Sequence, residues 1–291
     1  MRSGYLQSPI CRGPKRARGA LAIGLAYRFF WAMLDRLSLT LALLLLTASV
    51  APAAPRRDDN LVEDRNQYAH CLALTRSNAE EAELTAQSWR KSGGGAPALH
   101  CEALALVALH RYAEAARLLD QAALAAHTGD LRMALSDQAG NAWLLAGDAA
   151  KAEASIDSAL ALGPHDEDIL FDRARARAGR KNWQGADADL TALLALDPER
   201  ADAFVLRASA RHAEGRKAEA GADIAQALAI YPDYPDALVE RGSMRFEAGD
   251  LSGARADWLT VVRSAPSTEA GEAARVRLDS MAPAQAKPQG Q

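Results

Sequence analysis

The chain has 291 residues, 34 of them basic and 37 acidic, with a formal net charge of −3. The charge is unevenly placed: residues 1–53 carry seven Lys or Arg against one acid, Asp35, which leaves 27 bases and 36 acids in the rest. An acidic body without a run of Lys or Arg excludes a nucleic-acid binder that works by neutralising phosphates, and 66 alanines with only 5% aromatic residues exclude a β-sandwich in favour of close-packed helices.

Residues 37–51 read LSLTLALLLLTASVA, an uncharged run preceded by Arg36 and followed by the small-residue site Ala51-Pro52-Ala53. A basic flank, an apolar stretch and a small-x-small exit together make a secretory signal peptide. The run falls short of the roughly 20 residues that span a bilayer, so cleavage is expected, with an uncleaved membrane anchor as the alternative. Residues 33–53 are read as the signal, Met33 as the start, residues 1–32 as an upstream mis-start without structure, and residues 54–62 as a linker. The expected location is periplasmic or secreted, an oxidising setting, with membrane contact only through the signal if it is retained.

From there the chain repeats. Pro164, Pro198, Pro232 and Pro266 are evenly spaced, as are Ala152, Ala186, Ala220 and Ala254, while Gly147, Gly215 and Gly249 share the same lattice with Lys181 in the gap. Numbering each unit from residues 133, 167, 201 and 235, these are positions 32, 20 and 15. Position 8 is small (Gly140, Ala174, Ala208, Gly242) and position 24 is large and apolar (Ile156, Leu190, Ile224, Trp258). The pattern predicts a helix, a turn at position 15, a second helix and a proline stop. Positions 8 and 20 are small because the two helices touch there.

The pattern resembles the tetratricopeptide repeat family, on those five positions. The resemblance implies an all-α, right-handed superhelical solenoid of about six helix pairs over residues 63–280. The units are expected at about 63–95, 96–132, 133–166, 167–200, 201–234 and 235–266, with a capping helix at 267–280 and a disordered tail at 281–291. The first unit matches least, because His70 holds its position 8. A three-residue insertion is expected near His127-Thr128-Gly129. The family's first helices line a concave groove that holds a peptide or a partner's helix. The resemblance places Phe171, Arg175, Val205, Ser209, His212, Val239, Ser243 and Phe246 there. The apolar side chains Phe171, Val205 and Val239 at position 5, with Phe246 beyond them, are expected to form a partner-binding patch, unless they pack between units as core. Some members of the family clamp a carboxylate with Lys and Asn; Asn141 stands here without a groove Lys, a departure from that pattern.

A second lattice carries charge. Arg173, Arg207 and Arg241 fall at position 7, and Asp189, Asp223 and Asp257 at position 23 of the same units. These are equidistant from the turn, so in an antiparallel hairpin each Arg lies level with the Asp of its own unit, and structural ion pairs are expected. Asp168, Asp202 and Asp236, at position 2, are expected to face the helix dipole.

Chemistry-bearing motifs are missing: no GxSxG, HExxH, GxxxxGK[ST] or GxGxxG occurs. No catalytic residue, metal ligand or cofactor is assigned. Cys71 and Cys101, each following a His, are expected to form a disulfide, with free thiols or a zinc site as alternatives. The function expected is a non-enzymatic, exported scaffold for a protein or peptide partner. The alternative is an accessory or regulatory subunit of a cell-envelope hydrolase.

Overall fold

The computed structural model describes residues 58–281. The signal segment, the residues before it, the start of the linker and residues 282–291 lie outside the described residues. Thirteen helices and no strand are found among the described residues: α1 (Asp58–Ser77), α2 (Ala79–Lys91), α3 (Gly95–Ala108), α4 (Tyr112–Ala125), α5 (Gly129–Leu145), α6 (Ala149–Leu160), α7 (Glu167–Gly179), α8 (Trp183–Leu196), α9 (Ala201–Ala213), α10 (Lys217–Ile230), α11 (Pro235–Glu247), α12 (Leu251–Ser264) and α13 (Glu269–Ser280). None of them is long and apolar enough to cross a membrane.

The helices pair as the 34-residue lattice predicts, and the turn chemistry is local. A chain leaving a helix and reversing at once needs a residue in the left-handed region, where glycine pays no steric penalty. Gly147, Gly215 and Gly249 take φ of 78°, 78° and 84° at position 15, and Lys181 and the equivalent His110 are forced to 61° and 58°. Asp148, Asn182 and Asp250 follow directly and cap the second helix through their side chains.

Position 8 is small for the reason inferred. A Cβ on Gly140 would overlap Ile156, and one on Gly242 would overlap the indole of Trp258. Opposite them Ala152, Ala186, Ala220 and Ala254 are fully buried. Among the first helices α1 touches α3, α5 touches α7, and α7, α9, α11 and the cap α13 follow in turn, while His100 on α3 meets Gln138 on α5. That seam puts the first helices on the inner, concave side of an all-α solenoid.

Two boundaries and the offset of α1 differ from expectation, and one insertion does not. Residues 58–62, read as linker, form the first turn of α1, which runs straight into the array. In the first unit the residue buried at the hairpin contact is Cys71, with His70 exposed beside it, so α1 is offset by one residue from the sequence lattice, while Ala82 is buried at position 20 as expected. The insertion near His127 falls where it was expected: the chain is helical from Gly129, with Thr128 as its N-cap, and the added residues lengthen α5. Met281, read as the start of the tail, is the C-cap of α13 and packs on the apolar cluster around Trp258.

Candidate functional site

Every Arg–Asp pair of the charge lattice forms. Arg173 donates from Nε and Nη2 to Asp189 at 3.0 and 2.7 Å, Arg207 to Asp223 at 3.0 and 2.7 Å, and Arg241 to Asp257 at 3.0 and 2.8 Å. The fork-to-carboxylate geometry is the strong form of a charge-assisted hydrogen bond. A second arginine completes each site one helical turn on: Arg177, Arg211 and Arg245 donate from Nη1 to the same carboxylates at 2.7, 2.8 and 2.7 Å. These three also recur every 34 residues, at position 11, a signal present in the sequence but not read from it. Each Asp is thus buried between two guanidinium groups of its own unit.

Cys71 on α1 and Cys101 on α3 are joined as a disulfide, with their Cα atoms 6.2 Å apart. The bond ties together the first helices of units one and two and leaves neither thiolate to hold a metal. Among the described residues no group of His, Cys, Asp and Glu is arranged to bind one.

The concave side carries a row of polar side chains that bond across from one first helix to the next. Tyr68 Oη meets His100 Nδ1 at 2.5 Å, and His100 Nε2 meets Gln138 at 2.8 Å. Asn141 donates to Asp172 and accepts from Arg175 at 3.1 Å, while Arg175 also donates to Asp172 at 2.9 Å. His212 lies between Glu240 at 3.3 Å and Glu247 at 2.9 Å. Ser243 accepts from Arg277 of the capping helix at 2.9 Å, and Ser209 is half-buried on α9. Arg175, Ser209, His212 and Ser243 therefore lie on first helices as inferred. Asn141 is spent on Asp172 and Arg175 rather than free for a carboxylate.

The apolar patch does not form. Val239 is 8% exposed and belongs to the core around Trp258. Val205 packs against the clusters around Ala208 and Ala227, and the half-buried ring of Phe171 lies under the guanidinium of Arg200, 4.9 Å from its centroid. Position 5 is inter-unit packing, because the first helices approach closely enough to cover it. Phe246 alone stays open, 41% exposed, with its ring 5.9 Å from that of Trp258.

Position 5 of the third unit is instead Asp137. One of its carboxylate oxygens is buried and accepts no hydrogen bond from any described residue. Burial first, then the negative charges of Asp172, Asp166 and Asp168, push its carboxyl up to about 7. Asp236 is raised as well, by burial and by Glu269. His212 goes the other way from what burial alone would dictate: its bonds to Glu247 and Glu240 hold its pKa above the ordinary value. Acidic charge in the groove gathers around Asp137, where Asp172, Asp166 and Asp168 add to it.

No protein-family model and no curated protein sequence matches the chain. Solved structures do. A tetratricopeptide repeat protein from Parabacteroides merdae is similar over 85% of this chain and 95% of its own, at 16% identity and a TM-score of 0.57. YrrB, described as a TPR protein with an unusual peptide-binding site, matches over 62% of this chain and 95% of its own, at 21% identity and a TM-score of 0.52. MamA from Desulfovibrio magneticus covers 60% of this chain and 97% of its own, at 20% identity and a TM-score of 0.51. The fold is the tetratricopeptide-repeat solenoid. Within this TPR array the clamps are structural and the polar row is the candidate site.

Two outcomes follow from these environments. Arg207 and Arg211 side chains are 12% and 14% exposed, against 36% and 37% for Arg241 and Arg245. Asp223→Ala should therefore destabilise by about 3–5 kcal/mol, because it leaves the buried guanidinium of Arg207 without a carboxylate and Arg211 with Asp187 alone. Asp257→Ala should cost less, and denaturant melts of the two variants measure the order. A double-mutant cycle on Arg207 and Asp223 that gave coupling near zero would contradict the clamp. For Asp137, a folded pKa above the unfolded one means that the folded chain keeps its proton longer, so stability falls as pH rises from about 4 to about 7. Asp137→Asn should raise Tm, and by more near about pH 8 than near about pH 2, where both states are largely protonated.

Proposed function

We propose that this chain is an exported, non-enzymatic scaffold whose concave groove holds a cationic segment of a protein partner. The observation that carries the reading is Asp137, a buried carboxylate oxygen without a donor among acidic neighbours. Such an oxygen costs free energy as it stands and gains most from a Lys or Arg side chain or a chain amine brought to it. The polar row of Tyr68, His100, Gln138, Asn141, Asp172 and Arg175 offers further donors and acceptors beside it. Peptide binding is stated of YrrB, and the shared solenoid supports the same class of use here. Phe246, exposed near the end of the row, offers an apolar anchor.

Export is supported by the signal-like segment and by the Cys71–Cys101 bond, which suits an oxidising compartment. The material recovered from the periplasm should begin near Ala54 and yield, without reductant, a cross-linked peptide containing both cysteines. A start upstream of Leu37 would mean a retained anchor, and two free thiols would contradict the oxidised state.

Fluorescence anisotropy with Lys/Arg-rich peptides, and the same peptides with Gln in place of the bases, tests the groove. The basic set should bind with an affinity that falls as salt is raised. Asp137→Asn should weaken it about tenfold or more while the melting temperature holds or rises. Equal binding of both peptide sets would refute the proposal.

A further inference from the structure

The charge ladder between neighbouring units is broken at one junction, and a pocket lies at the break. Between units three and four, Arg173 Nη1 donates to Asp157 at 3.0 Å and Arg177 Nε to Glu153 at 3.0 Å. Between units four and five, Arg207 Nη1 donates to Thr191 at 3.2 Å and Arg211 Nε to Asp187 at 2.8 Å. The acceptors sit at positions 25 and 21 of the preceding second helix. Between units five and six those positions are Ala225 and Gly221. Arg241 Nη1 and Arg245 Nε consequently find no acceptor there among the described residues. The nearest carboxylate oxygen to Arg245 Nε, on Asp250, is 3.9 Å away, beyond hydrogen-bond range. Two guanidinium groups thus share the single buried carboxylate of Asp257.

The space left by the missing side chains is a cavity of about 480 Å³ between α10 and α11, lined by Gly221, Ala225, Leu228, Met244 and the two arginines. Its volume falls within the roughly 300–1,000 Å³ of small-molecule sites. The walls are helical, so their backbone groups are already bonded and offer nothing to an extended peptide. What the pocket lacks is one anionic head to replace Glu153 or Asp187, and what its walls fit is an apolar body.

We infer that the junction of units five and six binds a small carboxylic acid with an apolar body, of the medium-chain fatty-acid class. Its carboxylate accepts from Arg241 Nη1 and Arg245 Nε, and its chain lies against Leu228, Met244 and the alanines. The site is independent of the groove around Asp137 and needs no protein partner.

Calorimetry and thermal melts of the full chain with submicellar octanoate, 1-octanol and acetate test this. Octanoate should bind in a 1:1 ratio and raise Tm. Octanol, which has the body without the charge, and acetate, which has the charge without the body, should each bind about tenfold more weakly or less. Gly221→Asp restores the internal carboxylate at a site where an added Cβ meets only Met244 Cε at 3.8 Å. This variant should fold, melt at or above the parent temperature, and lose octanoate binding. No octanoate binding by the parent chain, octanol binding as tightly as octanoate, or undiminished binding by a folded Gly221→Asp would each overturn the inference.

Discussion

The close approach of two helices at small residues is the constraint from which the rest of this molecule follows. With Gly140 against Ile156, Gly242 against Trp258, and fully buried alanines opposite, each hairpin is thin. A thin pair cannot cover its own apolar face, so the next unit must, and stacking becomes obligatory. The main apolar cluster accordingly runs unbroken from Ala103 in the second unit to Ala210 in the fifth. The same closeness brings position 7 level with position 23, within reach of a bidentate bond.

Charge then selects the pairing that packing permits. A buried ion pair contributes little net stability over apolar packing, whereas a mispaired one costs several kcal/mol. Near-identical hairpins in one chain could dock in a wrong order if only alanine contacts guided them. The clamps discriminate: each carboxylate is satisfied only by the two arginines of its own unit, and the arginines at positions 7 and 11 then reach back to the unit before. Where that reach fails, at Gly221 and Ala225, Ala227 and Leu228 of the fifth unit still pack with Ala237 of the sixth, so apolar contact carries what the arginines do not. The last unit and its cap are held by different means from the units before them.

The concave side follows another logic. Its first helices sit so close that position 5 is covered, which removes the apolar surface a partner helix would need and leaves polar side chains bonded in a row. What such a surface can hold is set by charge rather than by apolar area. Asp137, raised by burial and by its acidic neighbours, marks where that charge is least compensated.

The sequence by itself left Cys71 and Cys101 open between a disulfide, free thiols and a zinc site, while it determined the repeat period, the helix pairs, the turn at position 15, the small contacts at positions 8 and 20 and the Arg–Asp pairs. Each follows from short-range spacing within a unit or from a strict lattice, and the arginines at position 11 were equally open to that reading. The face of position 5, the offset of α1 around Cys71, the partners of Asn141 and the pocket beside Gly221 were decided only by the tertiary structure. These depend on how far one unit sits from the next, a distance set jointly by all the side chains between two helices. A residue's own type and spacing do not contain it, which is why Val239 reads as surface in the sequence and lies in the core of the fold.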